Sequence, residues 1–451
     1  MDAPNVLLVV LDCVRAKNTS LLGHRRETTP FLSTFAESAT TYTQARTTAS
    51  WSLPAHASLF TGVPSEGHRL CITERLEPGQ TVFDFLAGEG YDTGVFTENP
   101  YLTIHPSNLR ACFENVVTER PDSTDVDDPD ETRKRVDGFW YADRFTEWVD
   151  DRAGPWAACV NLMDAHTPYE TREASDEWSD PLSRRVHDEL PIKWEWGVYG
   201  GRIPPVVGSL LEPLYDGAIR QADAVLKRLL GALDARAELD DTLVVVTADH
   251  GDGFGEPAHV PAEPPAIMHG MGTHEELFHV PLVVKAPGQS RGRTVTSLAT
   301  LANFPDAVLA AFDGATDDAG WFVPENGRTT AYQAPPDGQT AAKADQHTDH
   351  PERFRRPAAI VYEDGPGDTV YKRAAWGEDT YSAVVRGRRA EVTDERTIEA
   401  HPTAVIDAVA ERSEHLDISP LAEGEADMAE YETDEFEDVD LEARLESLGY
   451  L

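Results

Sequence analysis

The chain has 451 residues, with 80 acidic against 39 basic side chains, a formal net charge of -41 and an isoelectric point near 4.6. That length supplies a large core and room for two lobes, and the negative surface excludes nucleic acid and anionic membranes as default partners. No apolar run approaches the roughly 18 residues that cross a bilayer, and the first apolar run lacks the basic flank of a signal peptide, so a cytoplasmic protein is expected. Only seven of the 39 basic residues are lysines (Lys17, Lys134, Lys193, Lys227, Lys285, Lys343, Lys372). An acidic, lysine-poor composition suits high salt, where screening removes self-repulsion, and a halophilic habitat is expected. Cys13, Cys71, Cys112 and Cys159 form no C-x-x-C pair and read as reduced thiols.

The first predicted strand, residues 6–11, is an unbroken apolar run that ends in Asp12. A helix follows over 29–38. The run Trp51-Ser52-Leu53-Pro54-Ala55-His56-Ala57-Ser58-Leu59-Phe60-Thr61-Gly62 then places a hydroxyl at the entrance of a short helix, Pro54 in its first turn and His56 one turn on. Next come a helix over 81–88 and a strand over 91–96. Residues 121–130 form an acidic, Pro-containing loop, and 132–150 a helix. The strand at 156–162 runs into Asp164-Ala165-His166, and after a helix over 210–235 the strand at 243–247 runs into Asp249-His250-Gly251. A strand at 280–285 and a helix at 298–312 close this part.

Continuous apolar strands suit burial on both faces. Their alternation with helices predicts a doubly wound, mostly parallel α/β sheet flanked by helices over residues 1–312. Residues 313–356 read as an irregular connection. A smaller C-terminal α+β part, 357–451, holds a meander (358–362, 369–373, 381–386), a solvated acidic run at 423–437, and an amphipathic piece at 441–451 expected to dock back. No internal repeat is evident.

Ligands in such sheets gather beyond the carboxyl ends of the strands, where Asp12, Asp164, Asp249 and His250 fall. Asp249-His250 followed by glycines offers an oxygen and a nitrogen ligand and lets backbone approach an ion closely. Ser52 at a helix entrance is a natural structural cap, and the same geometry stabilises an alkoxide and an anionic ester. Ser50 and Thr48 compete with it for that role.

Asp12, the Ser52–Gly62 stretch, Asp249-His250-Gly251, Thr29-Pro30-Phe31-Leu32 and Val280-Pro281-Leu282-Val283-Val284 together resemble the sulfatase family of the alkaline phosphatase superfamily, over roughly residues 4–312. The ending Leu448-Gly449-Tyr450 is similar as well. The resemblance implies one divalent metal ion (Ca, Mg or Mn, with Zn the further candidate) held by Asp12, Asp249 and His250, with Ser52 completing the site. Two departures matter. His56 stands where the family carries an Arg beside its formylglycine precursor, which argues against formylglycine and for an unmodified Ser52 alkoxide. Cys13 stands where a second Asp is common. Asp164 and His166 resemble the segment whose His contacts the substrate's anionic oxygens, and His269, with His274 second, occupies the place of the leaving-group contact. Asp164, His166 and His269 alternatively hold a second metal. Arg15 reads either as an oxyanion contact or as a helix surface residue.

The expected activity is hydrolysis of a sulfuric ester on a small molecule or glycan. Ser52 attacks, His166 and His56 neutralise charge, His269 protonates the leaving oxygen, and Asp164, His274 and Arg15 contact substrate. Two other readings stand beside it: a phosphodiesterase or phosphoglycerol-transferase-like enzyme, and an inert binding protein that keeps the fold. Specificity is expected in 172–205 and 313–356.

Overall fold

In a computed structural model the chain is described over residues 4–118, 136–191, 193–315, 320–336, 338–387, 389–393 and 418–420. The strands are β1 (Asn5–Leu11), β2 (Thr40–Arg46), β3 (Glu74–Leu76), β4 (Asp92–Phe96), β5 (Asn115–Val117), β6 (Trp156–Leu162), β7 (Thr242–Thr247), β8 (Gly253–Glu256), β9 (Ala266–Met268), β10 (Leu282–Lys285) and β11 (Arg293–Thr300). Then follow β12 (Arg328–Gln333), β13 (Ala358–Asp364), β14 (Thr369–Trp376), β15 (Asp379–Arg386), β16 (Arg389–Thr393) and β17 (Ile418–Pro420).

Eight strands form the main sheet, in the order β11-β2-β10-β7-β1-β6-β4-β5. β10 alone runs against its neighbours; the other pairings are parallel. β1 lies at the centre, with Leu11 opposite Leu162 of β6 and Val10 opposite Thr247 of β7. This register brings the carboxyl ends of three adjacent strands to one edge. Residues 6–11 of β1 and all of β6 and β7 are buried, as expected for strands covered on both faces. Helices Gly138–Asp150 and Gly208–Ala235 pack together on one face, and Ser52–Thr61, Val82–Gly88 and Phe304–Phe312 gather on the other.

The smaller antiparallel sheet runs β12-β13-β14-β15-β16 and packs against β11 with its own apolar cluster, including Ile360, Tyr362, Val370, Trp376 and Val385. The fold is therefore the expected doubly wound α/β sheet with a small C-terminal sheet.

Several local expectations need correction. Residues 298–300 finish strand β11, and the helix begins only at Phe304 after a 3-10 turn at Leu301–Asn303. Pro305 explains the boundary, because proline fits a first turn and breaks an interior. The stretch 313–356 carries β12 and the helix Gly338–His347 rather than irregular chain throughout. β2 went unseen because Thr-Thr-Tyr-Thr-Gln-Ala-Arg is too polar for a buried strand pattern. The loop 121–130, the acidic run 423–437 and the terminal piece 441–451 lie outside the described residues. No described helix is long and apolar enough to cross a membrane.

Candidate active site

Asp12 emerges from β1 with its carboxylate fully buried. Its Oδ2 accepts from the Asn99 amide at 3.0 Å and the Asn161 amide at 3.1 Å, and Oδ1 accepts from the Cys13 thiol at 3.3 Å. Burial, and then the neighbouring Asp249 carboxylate, hold Asp12 above the ordinary carboxylate range. Cys13 takes a left-handed backbone, φ 63°. Its amide donates to Asp249 Oδ1 at 3.3 Å and its carbonyl accepts from the Tyr215 hydroxyl at 2.7 Å, so both ends of an unfavourable conformation are fixed.

Asp249 and His250 follow β7. The Asp249 Oδ1 accepts from the His250 amide at 2.9 Å, while Oδ2 is buried with no hydrogen-bond partner among the described residues. Burial pushes this carboxyl up, but the His250 and His56 imidazoles and the Ser52 hydroxyl outweigh it and hold Asp249 below its ordinary value. The His250 Nδ1 donates to the Gly251 carbonyl at 2.9 Å. Its Nε2 faces the Ser52 Oγ, 3.3 Å away, and Asp249 Oδ2 at 3.4 Å. A Cβ on Gly251 would strike the Glu276 carbonyl oxygen, which is why glycine follows the His.

Ser52 is the first residue of its helix and is buried. His56 sits one turn on, its Nδ1 donating to the Ser52 carbonyl at 2.9 Å and lying 3.6 Å from Asp249 Oδ2. Its Nε2 has no hydrogen-bond partner among the described residues, and its ring packs edge-on against Phe60. His56 therefore holds the serine's backbone rather than facing the site's opening. Thr48 donates to Ser58 and is used up there, whereas the Ser50 hydroxyl is buried with no hydrogen-bond partner among the described residues.

His166 and His269 complete the group. The His166 Nδ1 donates to the Thr167 carbonyl at 2.7 Å, and its ring lies 5.0 Å from that of His269. The His269 ring is 4.6 Å from His250, with Nδ1 3.6 Å from both Cys13 Sγ and Asp252 Oδ1. Ligand atoms of Asp12, Cys13 and His250 lie within 4.8 Å of one another, as do those of Cys13, His166 and His269. Two buried carboxylates, one with an orphaned oxygen, beside the Nε2 of an imidazole form an O,O,N donor set that fits a divalent cation.

Three expected contacts fall elsewhere. The Arg15 guanidinium is bound to Glu212 and Glu256, each at 2.7 Å, to Asn18 Oδ1 at 2.5 Å and to the Asp252 carbonyl at 3.3 Å, with its face over Phe254, which engages most of its donors. Asp164 accepts from Gln221 of the Gly208–Ala235 helix at 2.7 Å, and burial raises its carboxyl to about 6. His274 donates from Nε2 to the Pro264 carbonyl at 3.0 Å, beside Glu263, in a separate buried cluster. Each is held by a protein partner, although Asp164 Oδ2 and His274 Nδ1 are buried with no hydrogen-bond partner among the described residues. Sequence reasoning also missed Asn99, Asn161 and Asp252. A polar Asn inside the apolar strand β6 was the readable signal for Asn161; nothing local distinguished Asn99.

Beside Ser52 lies a cleft of about 420 Å³, lined among others by Trp51, Pro54 and His269. Its other walls include Lys193, Glu195, Trp196, Tyr199, Tyr332 and Lys343.

The sequence profile of the Sulfatase family matches residues 4–315. Among curated proteins, arylsulfatase K of Canis lupus familiaris is 23% identical over 368 residues, covering 72% of this chain and 64% of the relative. The chain thus spans under two thirds of that protein's length. Among solved structures, a phosphonate monoester hydrolase of Agrobacterium radiobacter aligns with TM-score 0.62 and 19% identity, covering 85% of this chain and 89% of the other. A 2-O GAG sulfatase aligns with TM-score 0.56 and 14% identity, covering 91% and 87%. At such identities these likenesses establish the fold. With the profile match spanning most of the chain, the protein belongs to the sulfatase family, a family of ester-bond hydrolases.

Proposed function

We propose that the protein is a metal-dependent hydrolase of a sulfuric ester with unmodified Ser52 as its nucleophile. The observation that carries this reading is the buried Ser52 hydroxyl, its Oγ 3.3 Å from His250 Nε2, beside an open cleft. Asp12, Asp249 and His250 would hold a divalent ion, with Ser52 at its side. When bound, such an ion polarises an ester oxygen and lowers the pKa of a neighbouring hydroxyl. The Ser52 Oγ attacks sulfur in line, the ester S–O bond breaks, and a sulfo-serine forms. His56 fixes the serine backbone by its bond to the Ser52 carbonyl. His166 offers positive charge to the transferred group. His269, next to Asp252, donates a proton to the departing oxygen, and water then releases sulfate from the serine.

The names of the relatives, arylsulfatase K and a 2-O GAG sulfatase, support a sulfuric ester. Four cysteines with no disulfide among the described residues support a cytoplasmic location as part of the same proposal.

Ser52→Ala is expected to lower kcat/KM by roughly 10⁴-fold or more, while divalent ions still raise the melting temperature. Full turnover in that variant overturns the assignment. Parallel assays with p-nitrophenyl sulfate, the phosphate monoester and the phosphodiester test the substrate: a phosphate preference of orders of magnitude overturns the sulfuric-ester reading. Mass spectrometry of the peptide carrying Ser52 is expected to show serine, not formylglycine.

A further inference from the structure

Beside the carboxylate-rich group of Asp12, Asp249 and His250 lies a second one of softer chemistry. Cys13, His166 and His269 offer a thiol and two imidazoles, with ligand atoms within 4.8 Å of one another. On sequence alone Asp164 is the expected partner of His166 and His269. In the fold Asp164 accepts from Gln221, and Cys13 stands with the two imidazoles instead, so sulfur replaces a hard oxygen. Cys13 and His166 are fully buried, and His269 reaches the cleft that opens beside Ser52.

Three details of geometry bear on what this group can hold. Cys13 Sγ is 3.6 Å from His269 Nδ1. A tetrahedral ion with metal–sulfur and metal–nitrogen distances of roughly 2.3 and 2.0–2.1 Å sets its sulfur and nitrogen ligands about 3.6 Å apart. The side chains thus already stand at the spacing such an ion requires. The His166 Nδ1 lies 2.7 Å from the Thr167 carbonyl. A carbonyl only accepts, so Nδ1 carries a proton and Nε2 is the nitrogen left for a cation; a backbone carbonyl behind the ring is how ligating histidines are commonly oriented. Finally, Asp12 Oδ1 is 3.3 Å from the Cys13 sulfur and Asp252 Oδ1 is 3.6 Å from His269 Nδ1, so negative charge borders the pair on both sides.

We infer that Cys13, His166 and His269 form a second cation site, selective for a thiophilic divalent ion such as Zn²⁺, and that filling it switches ester hydrolysis off. The site stands on its own geometry, whereas its effect on turnover rests on the reading of His269 as the proton donor. Thiolate and imidazole select zinc over magnesium, calcium and manganese, while a carboxylate-rich set suits those harder ions. On binding, the Cys13 S–H bond breaks, its proton passes to solvent, and the sulfur electron pair forms the metal–sulfur bond; each imidazole gives a nitrogen lone pair. A ring nitrogen held by a metal cannot take up a proton. His269 then no longer becomes the imidazolium that protonates the departing oxygen.

The test uses the full chain in excess Mg²⁺, to which Co²⁺ or Zn²⁺ is added. One equivalent of Co²⁺ is expected to produce the near-ultraviolet charge-transfer absorption of a thiolate-bound ion, and Zn²⁺ to bleach it. Among the described residues, Cys13 is the cysteine that stands in a group of three candidate ligands. The band should therefore vanish in Cys13→Ser, and in His166→Gln it should require at least about tenfold more Co²⁺. Turnover of p-nitrophenyl sulfate or phosphate, whichever the protein hydrolyses, should fall by about 10²-fold in kcat as Zn²⁺ saturates. Chelation followed by Mg²⁺ should restore it. Failure of Co²⁺ to give the band overturns the site, as does a band that survives Cys13→Ser. Should Cys13→Ser not fold, unchanged Co²⁺ affinity in His166→Gln overturns the site by itself. A zinc-bleached band with undiminished turnover overturns the inhibition. Hydrolysis of neither ester overturns the ester-hydrolase reading and the inhibition together, while the band still decides the site.

Discussion

Two buried polar clusters lie on either side of β10, and they are built on opposite electrostatic rules. At the junction with the small sheet, Glu275 meets Arg46 at 2.6 Å and Lys372 at 3.0 Å and accepts from the Tyr362 hydroxyl at 3.2 Å. Burial raises its carboxyl, and the two cations overcome that and hold it down at about 2. Opposite charges converge there. At the candidate active site two carboxylates converge instead, Asp12 is held above its ordinary range, and Asp249 Oδ2, His56 Nε2 and Ser50 Oγ lie buried with no hydrogen-bond partner among the described residues. The first cluster balances its charges internally and joins the two sheets, although Glu275 Oε1 and Arg46 Nε are also buried with no hydrogen-bond partner among the described residues. The second gathers two carboxylates whose repulsion an added cation would relieve, and that difference in charge balance separates a candidate binding site from a structural cluster of equal burial.

The largest expected effects test which cluster each histidine belongs to. His269→Gln should lower kcat by about 10²–10³-fold by removing the proton donor, whereas His274→Gln, five positions along, should leave kcat/KM of the folded fraction within about twofold. Comparable losses in both would erase the distinction. Next, Glu275→Gln strands two buried cations at the junction and should destabilise by about 3–5 kcal/mol, read from urea unfolding.

The smallest effect has the opposite sign. In chelator, Asp12→Asn removes one of two repelling carboxylates and should stabilise the protein by about 1 kcal/mol, while abolishing stabilisation by divalent ions. Its pH dependence follows from the direction of the shift. A carboxyl held above its ordinary 3.8 in the folded state binds its proton more tightly there than in the unfolded chain. The stability it contributes is full below pH 3.8 and is lost as pH rises through the folded pKa. In Asp12→Asn that fall should vanish from the unfolding free energy measured across acid pH.

Much of this was legible in the chain. The apolar runs that became β1, β6 and β7 are buried on both faces, so burial alone shaped their composition. Where burial is mixed, as in β11 with five non-buried residues followed by three buried ones, periodicity misled and the helix was begun too early. Cys13 shows the same divide in the site. Its place beside Asp12 was evident in sequence, but its contacts with Asp249 and His269 span 236 and 256 residues.

By itself the sequence determined the parallel sheet, the acidic strand ends and a serine at a helix entrance, because each is a local pattern in which neighbours along the chain carry the signal. Only the tertiary structure decided that His269 joins Cys13 while His274 turns to Pro264, that Arg15 pairs with Glu212 and Glu256, and that Asp164 meets Gln221. Those choices depend on sheet register and on the path of the loops between strands. Both bring together side chains far apart in sequence, and hydrogen-bond geometry then decides which polar group is satisfied and which is left open.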